Sequence, residues 1–175
     1  CKQPMENFLK SIEARAYRMA LYGSGQQSEA LDLVQESMLR FVEKYADKPQ
    51  EEWAALFFRV LQNQIRDFHR RQYVRKRWMP WFSGSTEEND WQLDHAESFE
   101  SDPEQKLLMN SALKQLQTEL MKLPLRQQQT FLLRAWEGLS VADTAIAMKC
   151  SQGAVKTHYF RALERLKQRL GDFWP

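Results

Sequence analysis

Hydrophobic side chains recur at intervals of three and four along most of the chain, the spacing that aligns them on one face of an α-helix. Met5, Phe8, Leu9, Ile12, Ala16 and Met19 form a first stripe, which stops at Gly23-Ser24-Gly25. Leu31, Val34, Met38, Phe41, Val42 and Tyr45 form a second, with Ser28 as its N-cap. Pro49 falls in the polar loop that follows. A third helix is expected from near Glu51 to about Trp78, carrying Trp53, Leu56, Phe57, Val60, Leu61, Ile65 and Phe68 on one face. Three such helices can close a common core. No segment alternates with the period of a strand.

The period is lost over residues 79–104, where Pro80, Ser83-Gly84-Ser85 and scattered acids read as a linker with Trp81, Phe82 and Trp91 as apolar islands. Helical signals then resume. Asp102 is placed to cap, Pro103 suits the first helical position, and Gln105 completes a capping box. Leu108, Ala112, Leu116 and Leu120 repeat every four residues up to Leu123-Pro124. A second helix should run from about Leu125 to Glu137 and stop at Gly138. Ser140 opens a third, with Asp143 three residues on, and Ser151 a fourth that reaches about Leu170. The expected fold is all-α, with a three-helix module and a four-helix module joined by a flexible tether.

Charge sharpens that division. The 25 Lys and Arg nearly balance the 23 Asp and Glu, yet residues 79–104 contain eight acids and no Lys or Arg. Residues 1–78 hold 14 basic and 10 acidic side chains, and residues 105–175 hold 11 and 5. Two basic blocks therefore flank an acidic bridge. The longest apolar run, Trp53 to Phe58, is too short to span a bilayer, and nothing suggests an export signal. Two cysteines, Cys1 and Cys150, supply no disulfide framework, as expected of a reducing compartment.

Catalytic patterns are missing from the sequence. His69, His95 and His158 have no metal-ligand spacing, and there is neither a phosphate-binding glycine loop nor a nucleophile elbow. The expectation is a protein without an enzymatic reaction, metal or cofactor. Two constellations point to nucleic acid instead. Ser140 to Met148, the turn Lys149-Cys150 and the Ser151 helix have the punctuation of a helix-turn-helix. In the second of these helices Val155, Tyr159, Ala162, Leu163, Leu166 and Leu170 face inward, leaving Lys156, Thr157, Arg161, Glu164 and Gln168 outside and Phe160 at the flank. Lys and Arg reach phosphates or guanine edges, and an apolar ring can meet a thymine methyl. The alternative is a surface helix with solvated charges. In the third helix Arg59, Arg66 and Arg70 cluster opposite the aromatic stripe with Asn63 on the shoulder. Seven basic residues face Asp67 alone over 59–77, a pattern suited to phosphates. Trp53 and Phe57 are expected in the core, whereas Phe58 is less central and is a candidate to stack on an unpaired base.

At these residues the sequence resembles the extracytoplasmic-function (group IV) sigma factors of bacterial RNA polymerase. Asp32-Leu33-Val34-Gln35-Glu36, then Met38, Arg40 and Phe41, is similar to the region-two helix that grips the polymerase clamp. Leu56-Phe57-Phe58-Arg59-Val60-Leu61-Gln62-Asn63, with Asp67, His69 and Arg70, is similar to the melting and −10-reading segment. Leu123-Pro124, Arg126, Phe131-Leu132-Leu133-Arg134 and Glu137-Gly138-Leu139-Ser140 resemble the opening of region four. Ser151 to Arg161-Ala162 resembles its recognition helix. The chain departs from the family's usual residues at Leu56 (Trp), Thr144 (a bulky aliphatic) and His158 (often Arg).

The resemblance implies a region-2-like domain over residues 1–79, an acidic linker over 80–103 and a region-4-like helix-turn-helix domain over 104–175. It implies −35 recognition by Lys156, Thr157, His158, Phe160 and Arg161. It assigns −10 capture and melting to Phe58, Arg59, Asn63, Arg66 and Arg70, with Asp47 and Lys48 in the loop to Gln50. Asp32, Gln35, Glu36 and Arg40 would bind core RNA polymerase. Partners are then core polymerase, promoter DNA and an anti-sigma factor, for which Trp78, Trp81, Phe82 and Trp91 are candidate contacts. No small-molecule substrate and no direct membrane insertion are expected. The implied location is the bacterial cytoplasm, with retention at the inner membrane through an anti-sigma factor. The acids from Glu87 to Glu104 would either imitate nucleic acid in the polymerase channel or serve as a solubilising spacer. A rival reading is a stand-alone helix-turn-helix regulator that binds an operator as a dimer. A helical nucleic-acid-processing enzyme, a third reading, lacks a catalytic cluster.

Overall fold

Helix α1 (Lys2–Ser24) turns into α2 (Gln27–Tyr45) through Gly25, whose φ of 75° lies in the left-handed region. Ser24 Oγ accepts a hydrogen bond from the Gln26 amide at 3.3 Å, so α2 starts ahead of the expected cap, and Ser28 lies inside it. Helix α3 (Gln50–Trp78) follows, with Glu51 and Glu52 in its first turn and Arg75, Lys76 and Arg77 in its last, both favourable to the helix dipole. The computed structural model describes residues 2–78 and 103–171, and among them every regular element is helical. The acidic segment, with Trp81, Phe82, Trp91 and the expected Asp102 cap, lies outside the described residues.

The first three helices close on an aromatic cluster. Phe8 lies 5.6 Å from Phe41 and 5.4 Å from Trp53, and Phe41 lies 5.7 Å from Phe57 between ring centroids. The inward face of α2 is Ala30, Leu33, Val34, Ser37 and Phe41. Leu31 and Val42, expected in the stripe, are 51 % and 38 % exposed. Ser37 occupies that face because its hydroxyl donates to Leu33 O at 2.6 Å, leaving no orphaned polar atom.

Helices α4 (Pro103–Met121), α5 (Leu125–Phe131), α6 (Val141–Met148) and α7 (Gln152–Leu170) form the second module. Helix α5 continues into one wide π-helical turn over Leu132–Trp136, which ends at Gly138 with φ 64°. Ser140 caps α6 by accepting from the Asp143 amide at 3.0 Å, and Ser151 caps α7 by accepting from the Ala154 amide at 3.1 Å. Between them Lys149 adopts φ 50° while the Cys150 amide donates to Ala145 O. Arg126 Nη1 donates to Met148 O at 2.6 Å and ties α5 to this turn.

The sequence leaves the relative placement of the two tethered modules open, and in the structure they dock. One apolar cluster runs from Met19 and Ile65 through Leu120, Leu132 and Met148, with α6 against α3 and α5 against α1. The contact surface is lined by glutamines, which helical patterning assigns to solvent.

Thr144 is fully buried in α6, and its hydroxyl has no partner. Thr144→Val keeps the shape and removes an orphaned polar atom. It should stabilise the chain by about 1 kcal/mol, read as a rise in urea midpoint at unchanged slope.

Candidate nucleic-acid interface

The capped turn between α6 and α7 fixes which face of α7 reaches solvent. Val155, Ala162, Leu166 and Leu170 are buried, and Tyr159 stacks on Phe131 at 6.2 Å. Lys156, Thr157 and Arg161 are exposed together, and Phe160 is 59 % exposed. These four side chains form one open face of mixed charge and apolar character. Thr157 Oγ1 donates to Gly153 O at 3.0 Å, which orients the hydroxyl along the helix. His158 sits at the edge of that face, half-buried. Burial, with the Arg126 and Arg161 guanidinium groups nearby, holds its imidazole below the usual pKa of 6.5. It is therefore a neutral ring at the margin of a basic surface.

On α3 the expected residues divide. Arg59, Asn63 and Arg66 are half-buried, while Arg70, Arg71, Arg75, Lys76 and Arg77 are exposed. Arg66 donates to the Asn63 side-chain oxygen, and Arg70 pairs with Asp67 at 3.2 Å. Burial and the nearby Arg126 lower the pKa of Arg66, without altering its charge at neutral pH. Phe58 does not join this surface. It is 1 % exposed and lies edge-on to Phe57 at 5.5 Å, so it is a core residue rather than a stacking platform.

Asp47 and Lys48 are exposed in the short loop before α3. Trp53 Nε1 donates to Lys48 O at 2.8 Å, pinning the loop to the aromatic core. Asp32, Gln35, Glu36 and Arg40 are all exposed on one side of α2. With Leu39 they line an open groove of about 710 Å³, closed on its far side by Arg71, Gln72 and Arg75 of α3. Glu36 pairs with Arg40 at 2.5 Å across one helical turn. The groove thus sets an acidic and apolar rim against a basic one.

Three residues outside the expected set matter to these surfaces. Arg126 braces the helix-turn-helix turn, and Gln128 and Gln129 join the modules. The run Gln127-Gln128-Gln129, within a short helix flanked by Leu125 and Phe131, was the available signal. Among the described residues no cluster of His, Cys, Asp and Glu is arranged to hold a metal, and no helix is long and apolar enough to cross a membrane.

Comparison with known proteins matches both modules in order. Residues 5–75 match the family Sigma-70 region 2, and residues 113–166 match Sigma-70, region 4. The chain is 27 % identical over 158 residues to the ECF RNA polymerase sigma factor BldN of Streptomyces coelicolor, covering 89 % of this chain and 56 % of that protein. It is 28 % identical to the ECF RNA polymerase sigma factor EcfG of Rhodopseudomonas palustris, covering 92 % and 83 %. Its fold is similar to that of the sigma factor RpoE from Bartonella quintana, solved in complex with the anti-sigma factor NepR. That match has a TM-score of 0.65 and 22 % identity, and covers 94 % of this chain and 97 % of that one. With two sigma-70 regions in sequence, one on each docked module, the chain belongs to the ECF sigma factors of bacterial RNA polymerase.

Proposed function

We propose that this chain is a promoter-specificity subunit, which binds core RNA polymerase and directs it to particular promoters. The observation that carries the reading is the ordered pair of sigma-70 regions, with the exposed face of α7 lying within the second. Lys156, Thr157, Phe160 and Arg161 read the −35 element in the major groove, with His158 at the edge of the contact. An Arg donates two parallel hydrogen bonds to guanine, and an exposed ring packs on a thymine methyl. Arg59, Asn63, Arg66 and Arg70 hold the −10 region, where Asp47 and Lys48 contribute the loop that receives an unstacked base. Capture of unpaired bases turns binding energy into strand opening. Asp32, Gln35, Glu36 and Arg40 bind polymerase through the mixed-charge groove between α2 and α3.

In this reading residues 1–79 serve the −10 element and the clamp, residues 104–175 serve the −35 element, and residues 80–103 connect them. The chain acts by positioning polymerase and has no reaction of its own. An anti-sigma factor is a fitting partner, since the similar RpoE was solved with one. The setting is the bacterial cytoplasm, where core polymerase works.

Purified core polymerase supplemented with this chain should initiate from a subset of genomic promoters. No stimulation at any of them, together with tight operator binding by a dimer of the free chain, would favour the stand-alone regulator instead. Arg161→Ala should cost about 1–3 kcal/mol in holoenzyme binding and relax preference at one −35 position, as measured against a library of promoter variants. His158 contributes a pH-dependent term. Its folded pKa is depressed, so the neutral ring's stabilisation is complete above the unfolded value of about 6.5 and is lost as pH falls below it. The melting temperature of the wild-type chain should therefore drop from about pH 7.5 to about pH 5.5 by more than that of His158→Asn.

A further inference from the structure

The aromatic side chains of α3 divide by their place along the helix. Trp53, Phe57, Phe58 and Phe68 are buried, and Phe68 is the last buried residue of the helix. Beyond it α3 continues to Trp78, and none of residues 69–78 is buried. Tyr73 and Trp78, on that stretch, are 67 % and 78 % exposed. Single exposed rings are common on protein surfaces, so exposure alone assigns nothing. Register separates the two.

Arg59, Asn63, Arg66, Arg70, Tyr73 and Arg77 follow one another at alternating intervals of four and three within one continuous helix. At about 100° per residue this spacing keeps them all within about 80° of the helix circumference. Tyr73 therefore stands on the same stripe as the residues assigned above to the −10 region. Trp78 lies about 140° round the helix from Tyr73 and is off the stripe.

The stripe opens to solvent toward its C-terminal end. Arg59, Asn63 and Arg66 are half-buried, whereas Arg70, Tyr73 and Arg77 are exposed. The pair between Arg70 and Asp67, at 3.2 Å, is well solvated and holds the guanidinium only weakly. Arg75, on another face, donates to the Gln72 side-chain oxygen at 3.0 Å. Arg70 and Arg77 stand about 10.5 Å apart along the axis, the length of about three stacked nucleotides. A ring set between two guanidinium groups at this spacing matches a strand held by its phosphates with one base against the ring.

The chemistry of the stripe selects among occupants. A duplex offers phosphates to the arginines but keeps its bases stacked inside, out of reach of the ring. An apolar protein surface would cover the ring and leave Arg70 and Arg77 desolvated without partners. A single strand satisfies both the ring and the charges.

Resting on the function proposed above, we propose that Tyr73 is the stacking platform for an unpaired base of the opened promoter, with Arg70 and Arg77 holding the phosphates on either side. It fills the role that Phe58, sealed in the core, cannot. Stacking tolerates any base, because every base presents a π-face. Tyr73 therefore contributes to strand capture, while sequence choice rests with the −35 face and the Asp47–Lys48 loop.

The test uses holoenzyme assembled from core polymerase and the full chain, on a promoter that the wild-type chain selects. One template is fully duplex, and a second has its −10 bases mismatched so that they are unpaired from the start. Tyr73→Ala should weaken binding to the unpaired template by about tenfold, and Tyr73→Phe, which keeps the ring, should bind as the wild type does. Removing single bases from the unpaired strand should locate one abasic position at which wild-type and Tyr73→Ala chains bind alike. Changing that base to another should have little effect. Affinity for the unpaired template that Tyr73→Ala leaves unchanged, or the absence of any such abasic position, overturns the proposal. So does an equal loss on the duplex held closed at low temperature, or a Tyr73→Phe chain as weak as Tyr73→Ala. If the wild-type chain directs polymerase to no promoter, the function proposed above is what fails. Binding of the free chain to a labelled single-stranded oligonucleotide, with the same variants and the same ratio expected, then decides the stacking by itself.

Discussion

Helix α3 is buried on two sides at once, and this requirement organises the molecule. One side carries Trp53, Phe57 and Phe68 into the aromatic core shared with α1 and α2. The other carries Gln62, Ile65 and Arg66 against α1 and the second module. Its N-terminal turn is acidic and its C-terminal turn basic, which supports a helix of 29 residues. The basic end projects beyond both cores, so the charge that suits a phosphate backbone is presented at the rim. The same helix thus sets the first module, docks the second and carries one of the two candidate nucleic-acid surfaces.

The second surface depends on caps rather than on a large core. Helix α6 has only eight residues, too few to be stable alone, and it is fixed by Ser140 at its start, the left-handed Lys149 at its end and the Arg126 brace on Met148. Ser151 then starts α7 in a defined phase, and that phase decides that Lys156, Thr157, Phe160 and Arg161 share solvent. Substitutions at the turn would rotate the whole reading face without touching any side chain on it. Arg126 therefore affects the −35 face proposed here while lying outside it.

Much of this was legible beforehand for plain reasons. Pro124, Gly138, Ser140 and Ser151 are local signals with local causes, and the helices begin and end where they stand. Phase was harder. In α2 the pattern admitted Leu31 and Val42 to the stripe, but the core took Leu33 and Ser37. A hydroxyl that bonds its own helix can be buried, whereas an apolar residue near the edge need not be. Phe58 sits off the main stripe by spacing, yet it is 1 % exposed and packs edge-on to Phe57. The glutamines escaped because an amide on a helix reads as solvent-facing unless its partner is known.

The sequence by itself determined the helices, the Ser140 and Ser151 caps, the two-module order, the acid-rich segment between the modules and the family. All of these follow from periodicity, from residues with special backbone preferences, or from ordered motifs close together in the chain. Only the tertiary structure decided that the modules dock, that Phe58 is core and that Gln62 meets Gln129, 67 positions away. A hydrogen bond between distant amides leaves no period and no local propensity in a sequence. It exists only because two surfaces of matching shape and polarity come together.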